Sequence, residues 1–132
     1  MPKAEGLLLP FDDASHIRAD LLDTIPYNGE DQVIHLTYPE FSAVCPFSGL
    51  PDIANIIVTY VPSDKIVELK SLKYYYISFR NVGIYQEDMT NRVYRDLKTL
   101  LQPRSLYVKT IYNIRGGIEA VCEIGKTPKD KK

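Results

Sequence analysis

The sequence predicts an α+β fold in which two helices cover one face of a four-stranded antiparallel sheet. Apolar residues alternate with polar ones in four stretches, which is the period of half-buried strands. Between the second and third stretches the apolar spacing changes to three and four residues, which is the period of an amphipathic helix. The element order is therefore strand, strand, helix, helix, strand, strand (ββααββ).

Composition limits the class of protein. The 132 residues suit one domain, and 45% hydrophobic with 25% charged residues is typical of globular proteins. The net charge of −1 gives no basic excess for binding phosphates of nucleic acid, so we expect no direct nucleic-acid partner. Two cysteines are too few for a disulfide framework, and no apolar stretch is long enough for a membrane helix, so we expect a cytoplasmic protein.

Residues 1–32 are predicted to form an N-terminal arm, because prolines and an Asn-Gly pair interrupt them. One helical turn is expected at 15–22 with Ser15 as its cap, and the arm either lies across a neighbouring subunit or packs loosely. The domain itself is predicted over 33–125, and the basic tail at 126–132 is expected to be disordered.

The strands follow from alternation and from β-branched and aromatic content. Pro39 predicts a bulge or an edge in the first strand, because proline cannot donate to the ladder. In the last strand Ile118 and Cys122 share the apolar face, so Cys122 is expected to be a core residue. The four predicted strands are 32–44, 53–61, 105–113 and 118–124.

Two helices are predicted between the strand pairs. The first ends before Gly83, which would adopt the left-handed conformation of a C-cap. The second covers 85–101, and Gln102-Pro103 ends it. Their apolar faces consist of Leu69, Leu72, Tyr76 and Phe79 in the first and Met89, Val93, Leu97 and Leu101 in the second.

Such a sheet leaves two open edges, and an unpaired edge invites association with another chain. Copies that join edge to edge would close a barrel and remove the problem. We therefore expect a cyclic homo-oligomer.

The loop between the first two strands carries a thiol and a carboxylate. Cys45 follows the first predicted strand, Asp52 lies seven residues later, and Pro46 and Pro51 restrict the loop between them. Cys45 could act as a nucleophile, and Asp52, kept protonated in a partly dry pocket, as an acid. Cys45 could equally be a small buried hydrophobe, and Asp52 could simply hydrogen-bond the loop.

Three further groups could bind an anion or a base. Lys70 and Lys73 are neighbours on the first predicted helix, behind Glu68 at its positive end, and could hold phosphates. Arg115 precedes two glycines and could present a guanidinium to an anion. Glu87 could bind an amide or a guanine-like edge. The lysines could instead be only the solvated face of the helix, and Glu87 only an acid at a helix N-terminus. No metal-ligand set stands out.

Several short segments carry a family resemblance. They are Tyr38-Pro39-Glu40-Phe41, Cys45-Pro46, Pro51-Asp52, Glu68-Leu69-Lys70-Ser71-Leu72-Lys73, Ser78-Phe79-Arg80-Asn81 and Arg115-Gly116-Gly117. Together they resemble the short, single-domain form of the NADPH-dependent 7-cyano-7-deazaguanine reductases, the QueF family of the tunnelling-fold superfamily. The likeness runs from about residue 22 to residue 124, and the lysine-containing segment is specific to the reductases of that superfamily.

The resemblance implies a tunnelling fold, assembled as one ring or two stacked rings with sites between subunits. It also implies a nitrile reductase in queuosine biosynthesis, a tRNA-modification pathway. Cys45, as thiolate, would add to the nitrile of 7-cyano-7-deazaguanine to give a thioimidate. Asp52 would supply protons, and two NADPH molecules in turn would deliver hydride to yield the aminomethyl product.

The resemblance further implies which residues bind substrate and cofactor. Lys70, Lys73 and Arg115 match positions that hold the NADPH phosphates. Gln86 stands where the family usually has histidine, and glutamine can donate and accept a hydrogen bond but cannot become charged. The positions that match substrate-contacting residues are Val67, Glu68, Leu69, Gln86 and Glu87.

Two other functions stay open on the sequence alone. An archaeal relative of the reductases adds ammonia to the same nitrile while it is carried on tRNA, but it lacks the Glu68 to Lys73 motif. A tunnelling-fold protein could also keep a purine-like pocket without chemistry, and Gln86 is the feature that favours this reading.

Overall fold

A computed structural model describes residues 2–128 of the chain. Two short 3-10 turns precede the first strand. The strands and helices are β1 (Thr24–Pro26), β2 (Ile34–Val44), β3 (Pro51–Val61), β4 (Lys65–Val67), α1 (Leu69–Ile77), α2 (Gln86–Leu101), β5 (Ser105–Tyr112) and β6 (Val121–Gly125).

The main sheet contains four antiparallel strands in the spatial order β2-β3-β5-β6. This order confirms the ββααββ arrangement, with each strand beside its neighbour in sequence. The ladder between β2 and β3 shifts register between Tyr38 and Phe41, so a bulge lies at Pro39 as predicted. Strands β2 and β6 are the two edges of the sheet.

One face of the sheet packs against both helices. The even-numbered residues of β5, from Leu106 to Tyr112, are buried, and the odd-numbered ones are only partly covered. The predicted stripe of α2 is fully buried on this face, and a buried leucine or valine side chain stabilises the fold by about 1.5–3 kcal/mol. The stripe consists of Met89, Val93, Leu97 and Leu101.

Helix α1 begins at a side-chain cap and ends earlier than predicted. The Glu68 carboxylate accepts the N–H groups of Lys70 at 2.9 Å and Ser71 at 2.8 Å. The helix ends at Ile77, and Gly83 is not its left-handed C-cap. A Cβ at Gly83 would collide with the ring of Phe11, so this glycine provides close approach instead of a positive φ.

The last strand is shorter than predicted. Ile118 is 72% exposed and belongs to a turn in which its N–H and C=O both bond Arg115. Cys122 is half-buried. Neither residue is a core residue, and the prediction is wrong because the helices cover this edge strand only in part.

The N-terminal arm packs on its own chain. It contains 3-10 turns at Ala14–His16 and Ala19–Leu21 instead of one helical turn. Asp13, not Ser15, caps the first of them, because its Oδ1 accepts the Ser15 N–H at 2.9 Å. Strand β1 then pairs with β4 in a small ladder that the sequence analysis missed.

The end of the described chain continues from β6. Lys126 donates its N–H to the carbonyl of Leu106 at 3.1 Å, and residues 129–132 of the predicted tail lie outside the described residues. The division into arm, domain and tail stays a prediction. None of the helices within 2–128 is long and apolar enough to cross a membrane.

Candidate active site

Cys45 follows directly on β2, in a tight loop that leads into β3. Its N–H donates to the carbonyl of Leu50 at 2.9 Å, and its own carbonyl accepts the N–H groups of Ser48 and Gly49. Gly49 has a φ of +75°, which the turn requires. The loop is therefore closed by backbone bonds, and the thiol is fixed relative to both strands.

The loop directs hydrogen-bond donors at the thiol. The Phe47 N–H donates to Sγ of Cys45 at 3.4 Å. Partial burial raises the pKa of the Cys45 thiol, but the N–H groups of Phe47 and Ser48, the Ser48 hydroxyl and the charge of Arg115 together lower it below its ordinary value. A lowered pKa favours the thiolate, which is the nucleophilic form of cysteine, and Cys45 is half-buried instead of buried in the core.

Asp52 lies at the start of β3, opposite Ala43 of β2, on the face that carries the helices. It is 5% exposed, and its Oδ1 accepts a hydrogen bond from Nη1 of Arg115, which forms an ion pair with it. A buried carboxylate is stabilised by such a partner. In this arrangement Asp52 is a charged acceptor, whereas the sequence analysis expected a protonated acid.

Helix α2 begins beside the same end of the sheet. Ile84 donates its N–H at 3.2 Å to the carbonyl of Val44, the last residue of β2. Gln86 and Glu87 follow Ile84 by two and three residues. Gln86 is half-buried and Glu87 is exposed. Both predicted substrate residues therefore start a helix near the thiol.

Tyr112, on β5, belongs to the same region. Burial raises the pKa of Tyr112 above its ordinary value, and the nearby Cys122 and Glu87 groups add to this effect. Its hydroxyl is buried and has no hydrogen-bond partner within residues 2–128. A buried hydroxyl without a partner is unusual, which makes Tyr112 a candidate site residue.

The other predicted residues lie at the opposite end of the sheet. The Val67 N–H donates to the hydroxyl of Tyr60 at 3.2 Å, and Tyr60 lies eight residues along β3 from Asp52. Eight strand residues span about 26 Å. Cys45, Asp52, Arg115, Gln86 and Glu87 form what we call the Cys45 end, and Val67, Glu68, Leu69, Lys70 and Lys73 form the Glu68 end.

At the Glu68 end the charges are exposed. Lys70 and Lys73 both point to solvent from the first turns of α1, and Leu69 is exposed beside them. An open cleft of about 230 Å³ runs between this helix face and β2, and its lining includes Lys73 and Tyr38. Both Glu68 carboxylate oxygens bond the N–H groups of α1, so this side chain serves as the helix cap.

One chain thus brings together half of the predicted site residues and separates them from the other half. Two further residues near the Cys45 end, Ser48 and Tyr112, were not predicted from the sequence. Ser48 was missed although its position three residues after Cys45, in a loop bounded by prolines, was a usable signal. Tyr112 lies on the buried side of β5, and no pattern in the sequence distinguishes a core tyrosine from one whose hydroxyl lacks a partner.

The architecture has a counterpart among solved structures. A crystal structure of an archaeosine synthase QueF-Like in the apo form matches with a TM-score of 0.62, covering 76% of this chain and all of that chain. The two sequences are 24% identical, so this likeness defines the fold alone. It supports the predicted α+β fold, in which two helices cover one face of a four-stranded antiparallel sheet.

Sequence comparisons then define the family. The model of the QueF-like protein family matches residues 51–131, which include Asp52 and Arg115. Proteins from Thermotoga petrophila and Thermotoga maritima are each 56% identical over 126 residues, or 95% of this chain and 92% of theirs. A protein from Chlorobaculum tepidum is 52% identical over 70% of this chain and 79% of its own. All three are named NADPH-dependent 7-cyano-7-deazaguanine reductase, and this chain belongs to the QueF-like family.

Proposed function

We propose that this chain is an NADPH-dependent oxidoreductase that reduces the nitrile of 7-cyano-7-deazaguanine to the aminomethyl group, as a step of queuosine biosynthesis. Relatives 56% identical over 95% of the chain carry that activity in their names. The observation in the structure that carries the proposal is the Cys45 thiol, whose pKa is lowered in a rigid loop beside a buried carboxylate.

The first step is a covalent addition. The Cys45 thiolate attacks the nitrile carbon, a carbon–sulfur bond forms, and the nitrile nitrogen gains a proton to give the thioimidate. Asp52 is the buried acid at this end of the sheet and delivers protons to the nitrogen. For that role, the ion pair between Arg115 and the Asp52 carboxylate must first open. Gln86 and Glu87 hold the base from the start of α2.

The residues at the Glu68 end fit a cofactor with phosphates. Lys70 and Lys73 present two exposed ammonium groups on one face of α1, which suits a phosphate pair. NADPH, when bound there, supplies the hydride for both two-electron steps. Val67 ends β4, Glu68 caps α1 and Leu69 begins that helix. These three residues shape the wall on which substrate and cofactor meet.

The separation of the two ends supports a site between copies of the chain. Residues about 26 Å apart on one sheet cannot act on one substrate, whereas the Cys45 end of one copy can meet the Glu68 end of a neighbour. The free edges β2 and β6 offer the surfaces on which copies would join. We therefore propose a cyclic homo-oligomer with sites between subunits, acting in the cytoplasm, where a free catalytic thiol persists.

The test has two readouts. Mixing the protein with 7-cyano-7-deazaguanine should give the ultraviolet band of a thioimidate, and adding NADPH should consume two equivalents per nitrile by the absorbance at 340 nm. Cys45→Ala should lose both signals, and Cys122→Ala, the matched free cysteine, should keep them. A band without NADPH oxidation would favour the amidine-forming activity, and binding without a band would favour a pocket without chemistry.

A further inference from the structure

The N-terminal residues 9–12, which we call the arm strap, contact the chain on both sides of Cys45. Downstream of the cysteine, the Leu9 N–H donates to the carbonyl of Ser48 at 3.1 Å. On the other side, Asp12 donates its N–H to Asn81 and accepts the N–H of Gly83, both at 2.8 Å. These are backbone bonds, so they fix the path of the strap whatever its side chains do.

The second contact continues to the residue before the cysteine. Val44 donates its N–H to the carbonyl of Val82 at 3.0 Å and accepts the Ile84 N–H at 3.2 Å. Two parallel β-bridges result: Asp12 pairs with Val82, and Val44 pairs with Gly83. The segment that contains Val82 and Gly83 therefore lies between the strap and the end of β2. The strap, residues 81–84 and the end of β2 form three adjacent extended segments at the Cys45 end.

Two glycines make room for the strap from separate segments. A Cβ at Gly49 in the Cys45 loop would overlap the carbonyl oxygen of Leu9. A Cβ at Gly83 would overlap the ring of Phe11. Gly49 is required because the backbone of the arm approaches it closely, and Gly83 leaves room for the side-chain ring of Phe11. This evidence is independent of the hydrogen bonds. The surface on which the strap packs is therefore shaped to fit it, which is not expected of a loosely packed terminus.

The strap holds the residue next to the one that donates to the thiol. Phe47 donates its N–H to Sγ of Cys45 at 3.4 Å. The next residue, Ser48, accepts the Leu9 N–H at its carbonyl and donates its own N–H to the carbonyl of Cys45 at 3.3 Å. From these contacts we propose that the arm strap is a positioning element for the Cys45 nucleophile, holding the loop donors in line with Sγ. This proposal rests on the proposed role of Cys45 as nucleophile.

The charged groups at this end are Arg115, its partner Asp52 and Glu87 on other elements. The strap itself carries Asp12, whose Oδ2 accepts the side-chain N–H of Asn81 at 3.3 Å.

The experiment measures the rate at which iodoacetamide alkylates Cys45 as a function of pH, in full-length protein. A Cys122→Ser background leaves Cys45 as the only thiol. Leu9→Pro removes the N–H that bonds Ser48 without changing the Cys45 loop, and Leu8→Pro is the matched control because Leu8 is 70% exposed. Phe11→Ala, a second variant, loosens the strap at Gly83 instead.

We expect Leu9→Pro and Phe11→Ala to move the alkylation midpoint up by about half a pH unit, which slows the reaction at neutral pH about threefold. Leu8→Pro should match the parent. If Leu9→Pro does not fold by circular dichroism, Phe11→Ala decides alone. Profiles that coincide with the Leu8→Pro control overturn the proposal. Because iodoacetamide needs neither nitrile nor NADPH, this failure is distinguishable from failure of the proposed function.

Discussion

The two ends of the sheet are built in different ways. The Cys45 end joins segments that are far apart in sequence, since Asp52 pairs with Arg115 and the arm reaches the Cys45 loop. The Glu68 end is one continuous motif at the start of α1, with its lysines in solvent. A thiol must be tuned by burial and aimed donors, whereas a mobile anion needs only accessible positive charge. Under the proposed function, the fold therefore assembles the groups for the chemistry, whereas the local sequence alone supplies the lysines that bind phosphates.

The largest effect should come from the buried acid at the Cys45 end. Asp52→Asn should lower kcat about a hundredfold, because a general acid contributes at least that much, and both thioimidate formation and its reduction should slow, since Asp52 protonates nitrogen in each. Single-turnover absorbance separates these two steps. Asp31→Asn is the matched control, since it removes an exposed aspartate that pairs with Arg104 at 3.1 Å. Equal losses in both variants would show that breaking an ion pair, and not losing an acid, slows the enzyme.

At the Glu68 end we expect an effect on binding alone. Lys70→Ala and Lys73→Ala should each raise KM for NADPH about tenfold, the value of a charge-assisted hydrogen bond, and leave thioimidate formation unchanged. Steady-state kinetics at several NADPH concentrations measure this. Lys98→Ala removes an exposed lysine elsewhere, on α2, and should have no effect. A weaker thioimidate band in either lysine variant would contradict the division between the two ends.

The start of α2 offers a smaller gain. Gln86→His should raise kcat by about two- to tenfold, because histidine can carry a proton near neutral pH and glutamine cannot. The pH–rate profile should then gain an ionisation near the ordinary histidine value of about 6.5. Gln32→His, at an exposed position, controls for the added histidine. An unchanged profile would mean that Gln86 only binds the substrate.

The smallest effect concerns stability. Glu68→Ala removes the cap of α1 and should lower the free energy of unfolding by about 1 kcal/mol in urea denaturation at fixed protein concentration. Glu40→Ala, an exposed glutamate of β2, should change it by less than about 0.5 kcal/mol. A loss of equal size in both variants would rule out capping as the role of the Glu68 side chain.

The periodicity of apolar residues correctly predicted which face of helix α2 is buried. The stripe of Met89, Val93, Leu97 and Leu101 is fully buried as expected, because a period of 3.6 residues encodes which side of a helix meets the sheet. The ladder between Thr24–Pro26 and Lys65–Val67 was not predictable, since a strand of three residues has no period. Gly83 was misassigned because a sequence does not show whether a glycine provides a positive φ or space for a ring.

The residues of the candidate site were proposed from the sequence, but their arrangement in the fold was not. Cys45 and Asp52 lie seven positions apart in one loop, so their proximity could be inferred. The pairing of Asp52 with Arg115 joins positions 63 residues apart, which only the β3–β5 ladder brings together. Lys70 and Lys73 lie at the other end of the sheet from Cys45, because β3 runs the length of the sheet between them. Their closeness in sequence gave no sign of this separation.

The central claim is that one site takes its nucleophile and its cofactor-binding lysines from different copies of the chain. Co-expressing Cys45→Ala with the Lys70→Ala, Lys73→Ala double variant tests it at low NADPH, where each variant alone is nearly inactive. Random assembly of equal amounts should restore about a quarter of the parent activity, because about one site in four then joins two intact halves. Activity no greater than the sum of the two variants would contradict the account.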